Sequence, residues 1–167
     1  MSSIVAAFEW LEGLAWTTAL RESPFGYPLL ETSHVACIVV FAGLVIAMDL
    51  RLAGLAFNQA PLAQIQQRLL PWQIGTFIPS ALTGLLLFSI DPLRYYRNVL
   101  FLAKLTFLLL AGLNALAFHL KTSRKPAEGW DQDSSVIAMA RLAGVASLAL
   151  WSLTIIAGRL IPNNWFP

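Results

Sequence analysis

The chain has 167 residues, of which 57% are hydrophobic and 12% charged, and its net charge is +2. Soluble domains carry about a quarter charged residues, so this composition excludes an ordinary soluble globule and predicts an all-α, polytopic membrane protein. The 11 Lys and Arg residues are scattered along the chain and form no basic stripe, which excludes nucleic acid as a partner.

In chain order, residues 1–27 read as an amphipathic interfacial helix and linker, and residues 28–167 as a four-helix transmembrane domain. Ile4–Leu20 predicts one helix, with Trp10, Leu11, Leu14 and Ala15 on one face and Glu9, Glu12 and Trp16 on the other. The glutamates make it a poor span, and Ser23-Pro24-Phe25-Gly26-Tyr27-Pro28 separates it from the first apolar window. A positive leader region and a small-residue cleavage site are both missing, so no secretory processing is expected.

Four spans are predicted near Pro28–Leu55, Pro71–Ile90, Val99–Leu120 and Ser135–Leu160. Each holds an apolar window approaching the roughly 17–25 residues that a helix needs to cross a bilayer, and none alternates as a barrel strand would. Ala60–Leu70 predicts a short surface helix ended by Pro71, and Pro79 should kink the second span. Lys121–Asp133, with Pro126 and Gly129, reads as a polar loop. Cys37, the single cysteine, reads as a small buried hydrophobe. Every span also carries a small-xxx-small pair: Gly43/Ala47, Ser80/Gly84, Ala111/Ala115 and Ala140/Gly144.

Four spans put both termini and the Asp91–Asn98 loop on one face, side A, and the other two connections on side B. His34 lies early in the first span and His119 late in the third, so the two histidines should stand about 20 Å apart at 1.5 Å per residue. Near side A the sequence gathers Glu31, His34 and Lys104, with Lys104 the expected counter-ion of Glu31. Near side B it gathers Asp49, Arg51, Asn114 and Arg141, together with Gln73 and His119, and Asp49 is expected to pair with Arg141 or Arg51. Ionisable groups at such depth are costly unless paired or hydrated, and so mark candidate sites. Asn114 and His119, five apart on one helix, should face different ways.

Several motifs occur in order: Glu31-Thr32-Ser33-His34, Asp49-Leu50-Arg51-Leu52, Leu70-Pro71-Trp72, Thr83-Gly84, Lys104 and Ala111-Gly112-Leu113-Asn114-Ala115. With them, residues 28–120 resemble an uncharacterised family of small bacterial inner-membrane proteins. The resemblance implies a four-helix protein of the bacterial inner membrane, brings no activity, and marks Glu31, His34, Asp49, Arg51, Lys104 and Asn114 as pattern positions.

Hydrolase and zinc signatures are missing, and Glu-x-x-His occurs once where a di-iron bundle uses it twice, so no enzyme activity is expected. The leading reading is a non-catalytic membrane subunit or anchor that uses the N-terminal helix and the interfacial aromatics Trp10, Trp16, Trp165 and Phe166. Its partners would be the bilayer, a second copy, or other membrane or periplasmic subunits. The alternative is haem b binding, with His34, His119 and Met139 as candidate haem or metal ligands and His119/Met139 as the pair level with each other. A further alternative is a proton-linked transporter or sensor built on Glu31, His34 and Lys104. The basic run Lys121/Arg124/Lys125 predicts a cytoplasmic side B and periplasmic termini.

Overall fold

The computed structural model of the chain describes residues 2–122 and 134–163. Seven α-helices succeed one another among them: α1 (Ser2–Glu12), α2 (Ala15–Glu22), α3 (Gly26–Leu52), α4 (Leu62–Ile90), α5 (Pro92–Tyr96), α6 (Val99–Thr122) and α7 (Ser134–Leu160), the last ending in a 3-10 turn at Ile161–Asn163. Four of them, α3, α4, α6 and α7, are long and apolar enough to cross a membrane. Their 24 to 29 residues correspond to about 36–44 Å of helix, against a hydrocarbon core of about 30 Å.

The expected single N-terminal helix is two helices. The chain turns at Gly13-Leu14, and the Thr17 hydroxyl, fully buried, lies 2.7–3.1 Å from the carbonyls of Leu11, Glu12 and Leu14 that end α1. A hydroxyl that meets orphan carbonyls in this way ends one helix and orients the next. An ion pair between Arg21 and Glu12, 2.7 Å, spans the same corner. The two helices lie across the side A end, with α1 against α4 and α5 and α2 against α3 and α4. Phe8 holds α1 there through Phe88 and Tyr96, at ring separations of 5.7 and 5.4 Å. Phe88 of α4 stacks on Phe101 of α6 at 5.6 Å, so these two helices touch at the side A end.

Pro71 does not end a helix. α4 runs unbroken from Leu62 to Ile90 with Pro71 and Pro79 inside it, so the predicted surface helix and second span are one element. Each proline removes one backbone donor, a loss that transmembrane helices tolerate when neighbouring groups re-satisfy the freed carbonyls. α3 stops where Gly54 adopts φ +75°, and the amide of Leu55 donates to the Leu50 carbonyl at 2.9 Å. This is a left-handed glycine stop, in which the amide beyond the glycine closes the last turn.

The long helices pack in the order α4, α3, α7, α6; α4 lies along α3, α3 crosses α7, and α7 lies along α6. α4 and α6, the two ends of this row, have no comparable contact. Beside large side chains such as Phe41, Met48 and Phe118, the interior holds many small and polar residues, including Ala111, Ala140, Ala157, Ser80, Ser147 and Thr154, whereas Leu85, Leu109, Leu142 and Ile156 face outward. Such an inversion suits a chain surrounded by lipid, where small side chains let backbones approach. At the tightest crossing a Cβ on Gly144 would sit 2.7 Å from the Asp49 carbonyl and from Leu52 Cβ. Not every small-residue pair works this way: Gly43 has open space around it.

Candidate functional site

Away from the Phe88–Phe101 stack, the curved row of helices encloses a cleft of about 600 Å3 that all four long helices line. Its side B end rests on a packed cluster of Met48, Leu52, Leu62, Phe118 and Ala140. The lining changes along the bundle. Near side B it includes Asp49, Ser147, Gln73, Asn114, Gln66 and His119. Toward the middle it is aromatic and aliphatic, with Phe41 5.4 Å from Phe77 and 5.1 Å from Trp151.

Asp49 is the most buried charged residue described, 4% exposed. It projects from the last turns of α3 at the level where Gly144 brings α7 closest, so Ser147, one turn along α7, hydrogen-bonds the carboxyl. The other oxygen, Oδ2, is buried and has no partner among the described residues. The expected salt bridges to Asp49 are not formed. Arg51 donates from Nε and Nη2 to the Ala60 carbonyl at 3.3 and 2.9 Å, fastening the turn after α3. The Arg141 guanidinium lies over Gly54, with Nε 3.5 Å from where a Cβ would stand. Both arginines are thus used by the side B connection, as long side chains near a helix end reach for surface carbonyls.

Two amides complete the polar end. The Asn114 amide nitrogen donates to the Ala143 carbonyl of α7 at 2.9 Å, and the Gln73 amide nitrogen donates to the Leu44 carbonyl of α3 at 3.1 Å. Each side chain turns its donor end to backbone and keeps its carbonyl oxygen. Asn114 and His119 both line the cleft, against the expectation of different faces, because the cleft is wide enough to meet more than one face of α6.

The side A group is arranged differently. Glu31 is exposed and forms no ion pair among the described residues, so its expected bridge to Lys104 is not formed. His34 turns inward to α4, where Nδ1 lies 2.9 Å from the Thr83 hydroxyl and the ring presses on Gly84, whose added Cβ would stand 3.0 Å from Cε1. Thr83 itself sits 2.7 Å from the Pro79 carbonyl, the normal back-bond of a helical threonine. Lys104 neighbours His34, and its methylenes lie along Gly158 at 3.5 Å. Below, Asn98 caps α6 by accepting from the amides of Leu100 and Phe101, at 2.9 and 3.1 Å, and donates to the Ile161 carbonyl at the end of α7. The nearby Tyr95 phenol, outside the long helices, is pushed above its ordinary value, first by burial and then by its hydrogen bond with Tyr27.

His34 and His119 therefore belong to different places, one sealed against Gly84 and the other on the cleft. Met139 packs against the side B cluster, to which α6 contributes Phe118. Among the described residues no three His, Cys, Asp or Glu side chains gather where they could hold a metal ion. The loop beyond residue 122, with Arg124 and Lys125, and the aromatics Trp165 and Phe166 lie outside the described residues. Sequence reasoning does not single out Ser147, Thr83 or Asn98 as site or capping residues. Ser147 carries one available signal, since it continues the small-residue stripe Ala140, Gly144 along α7.

Comparison of the chain with family models, with curated proteins and with solved structures finds no match. The family resemblance thus rests on the sequence motifs alone.

Proposed function

We propose that this chain is a non-catalytic, multi-pass membrane protein that holds a small amphiphile in the cleft between α4 and α6. The observation that carries the reading is the buried, half-partnered carboxyl of Asp49 at the polar end of a cleft that is aromatic and aliphatic toward its middle. Ligand sites are commonly concave and mostly apolar, of roughly 300–1,000 Å3, with a few converging polar groups. The polar end lies near side B and the aromatic end toward the bundle centre, as the head and tail of one leaflet's lipid would lie. Entry would be lateral, between α4 and α6 on the side B side of the Phe88–Phe101 stack.

The resemblance and the basic run at Lys121, Arg124 and Lys125 favour the bacterial inner membrane with side B cytoplasmic. The subunit reading keeps one supporting observation, the outward position of Trp10, 68% exposed, and Trp16, 40% exposed, on the side A cap. Rings so placed also suit the headgroup boundary.

A single-chain alcohol carrying a diazirine in its tail tests the reading in nanodiscs. Saturable labelling of Phe77, Leu108 and Gly112, removed by Gly112→Trp, is the expected result, since nothing lies within 4 Å of a Cβ at Gly112 and a large side chain can fill the cleft. Labelling spread evenly over the outer face overturns it. So do disulfide-linked dimers of a Gly112→Cys, Cys37→Ala chain, which would seat a second copy there.

A further inference from the structure

Resting on the amphiphile reading, we propose that the head group held at Asp49 is a primary ammonium, making this a site for a single-tailed lipophilic amine. Asp49 Oδ2 has no donor among the described residues. Asn114 and Gln73 each give one N–H to a backbone carbonyl, of Ala143 and Leu44, and each keeps its side-chain oxygen as an acceptor beside a second N–H. Ser147 gives its hydroxyl to Asp49. The two arginines that would neutralise the carboxyl are turned to Ala60 and Gly54.

A buried carboxyl that has an unpartnered oxygen and no ion pair among the described residues selects a head that brings N–H donors and a positive charge. An ammonium has three N–H groups and no acceptor, whereas a hydroxyl has one donor and a carboxylate or phosphate has none. Buried polar atoms in proteins are nearly always hydrogen-bonded, and a carboxylate at this depth is costly unless paired. Charge-assisted hydrogen bonds are about twice as strong as neutral ones, so the carboxyl contributes selectivity as well as binding. The tail would run from Asp49 toward Phe41, eight residues or about 12 Å back along α3, between rings that offer only apolar surface. A membrane lipid with a free amine and no phosphate, or a free long-chain amine from outside, has the same chemistry.

Competition against the photolabelling alcohol in nanodiscs tests the inference with four twelve-carbon probes: dodecylamine, dodecyltrimethylammonium, dodecanol and dodecanoate. Dodecylamine should compete about tenfold better than the other three, since only it combines charge with N–H donors. Asp49→Asn should bring dodecylamine down to the level of dodecanol and leave dodecanol unchanged, with the unfolding temperature showing that the variant is folded. Equal competition by dodecylamine and dodecanol, or an amine preference that survives Asp49→Asn, overturns the ammonium while leaving the amphiphile reading intact. A preference for dodecyltrimethylammonium equal to that for dodecylamine also overturns it, because charge without donors would then suffice. Failure of all four to compete with a label that itself does not saturate overturns the amphiphile reading.

Discussion

His34 and Asp49 lie on the same helix, one toward each end of α3, and both turn from the outer face toward neighbouring helices. Around His34, which is half-buried, the contacts are close. Thr83 meets the imidazole, Gly84 gives it a flat seat, and α1 and α2 cover the end of the bundle above it. Around Asp49 the partners are incomplete: Ser147 stands at the carboxyl, and Oδ2 has no partner among the described residues, at a residue that lines the cleft. A polar group that is hydrogen-bonded stabilises the structure that holds it, whereas a buried one left incomplete is held by the surrounding packing and is available to something else.

The largest test of that difference is the crossing that holds Asp49 in place. Gly144→Leu would put side-chain atoms into the backbone of Asp49 and Ala53, with Cβ 2.7 and 2.8 Å from their carbonyl and amide. Backbone cannot give way as a flexible side chain can, so a loss of about 3 kcal/mol is expected, read as a lowered unfolding temperature with amphiphile binding lost. An unchanged unfolding temperature would mean that α3 and α7 are not locked and that the carboxyl is not held by the scaffold.

A smaller effect separates the two polar residues directly. His34→Ala should cost about 1–2 kcal/mol through the lost Thr83 hydrogen bond and the space left over Gly84. Asp49→Asn should cost nothing measurable or raise stability, since it removes a buried charge that lacks a counter-ion among the described residues. Thermal unfolding of both variants in one detergent decides the matter, and the reverse order would exchange the roles assigned to the two ends.

The smallest expected effect concerns the cap. The Tyr95 phenol has its folded value raised above the ordinary 10.0, so the stability it contributes is complete below pH 10 and is lost as pH rises through the raised value. Above pH 10, tryptophan fluorescence should report loosening of α1 and α2, which carry Trp10 and Trp16, before the long helices change. Tyr95→Phe should remove this alkaline step.

The four long helices, the separation of the two histidines and the grouping of polar residues by depth are legible in the sequence because each depends on position along an apolar helix. The ion pairs are not. Glu31 with Lys104 and Asp49 with Arg141 are plausible by depth alone, but pairing depends on which way each helix is turned, and depth carries no information about rotation. Pro71 misleads because a proline that breaks a helix in water can be accommodated within a long transmembrane one. The break at Gly13-Leu14 is hidden because the apolar period continues across it, while the Thr17 hydroxyl that closes α1 acts through backbone carbonyls that no pattern of side chains records.

Composition and a rise of about 1.5 Å per residue are enough to set the class of the protein, the number of its apolar helices and the depth of each polar group. It takes the packed bundle to set α4 and α6 at the two ends of the row, to turn both arginines to the side B connection and to leave Asp49, beside the cleft, with an unpartnered oxygen. The two levels differ because small residues govern how closely helices approach, and approach is a property of a pair of helices. Gly144 brings α7 against α3 while Gly43 and Gly112 face open space, a distinction that no single stretch of chain contains.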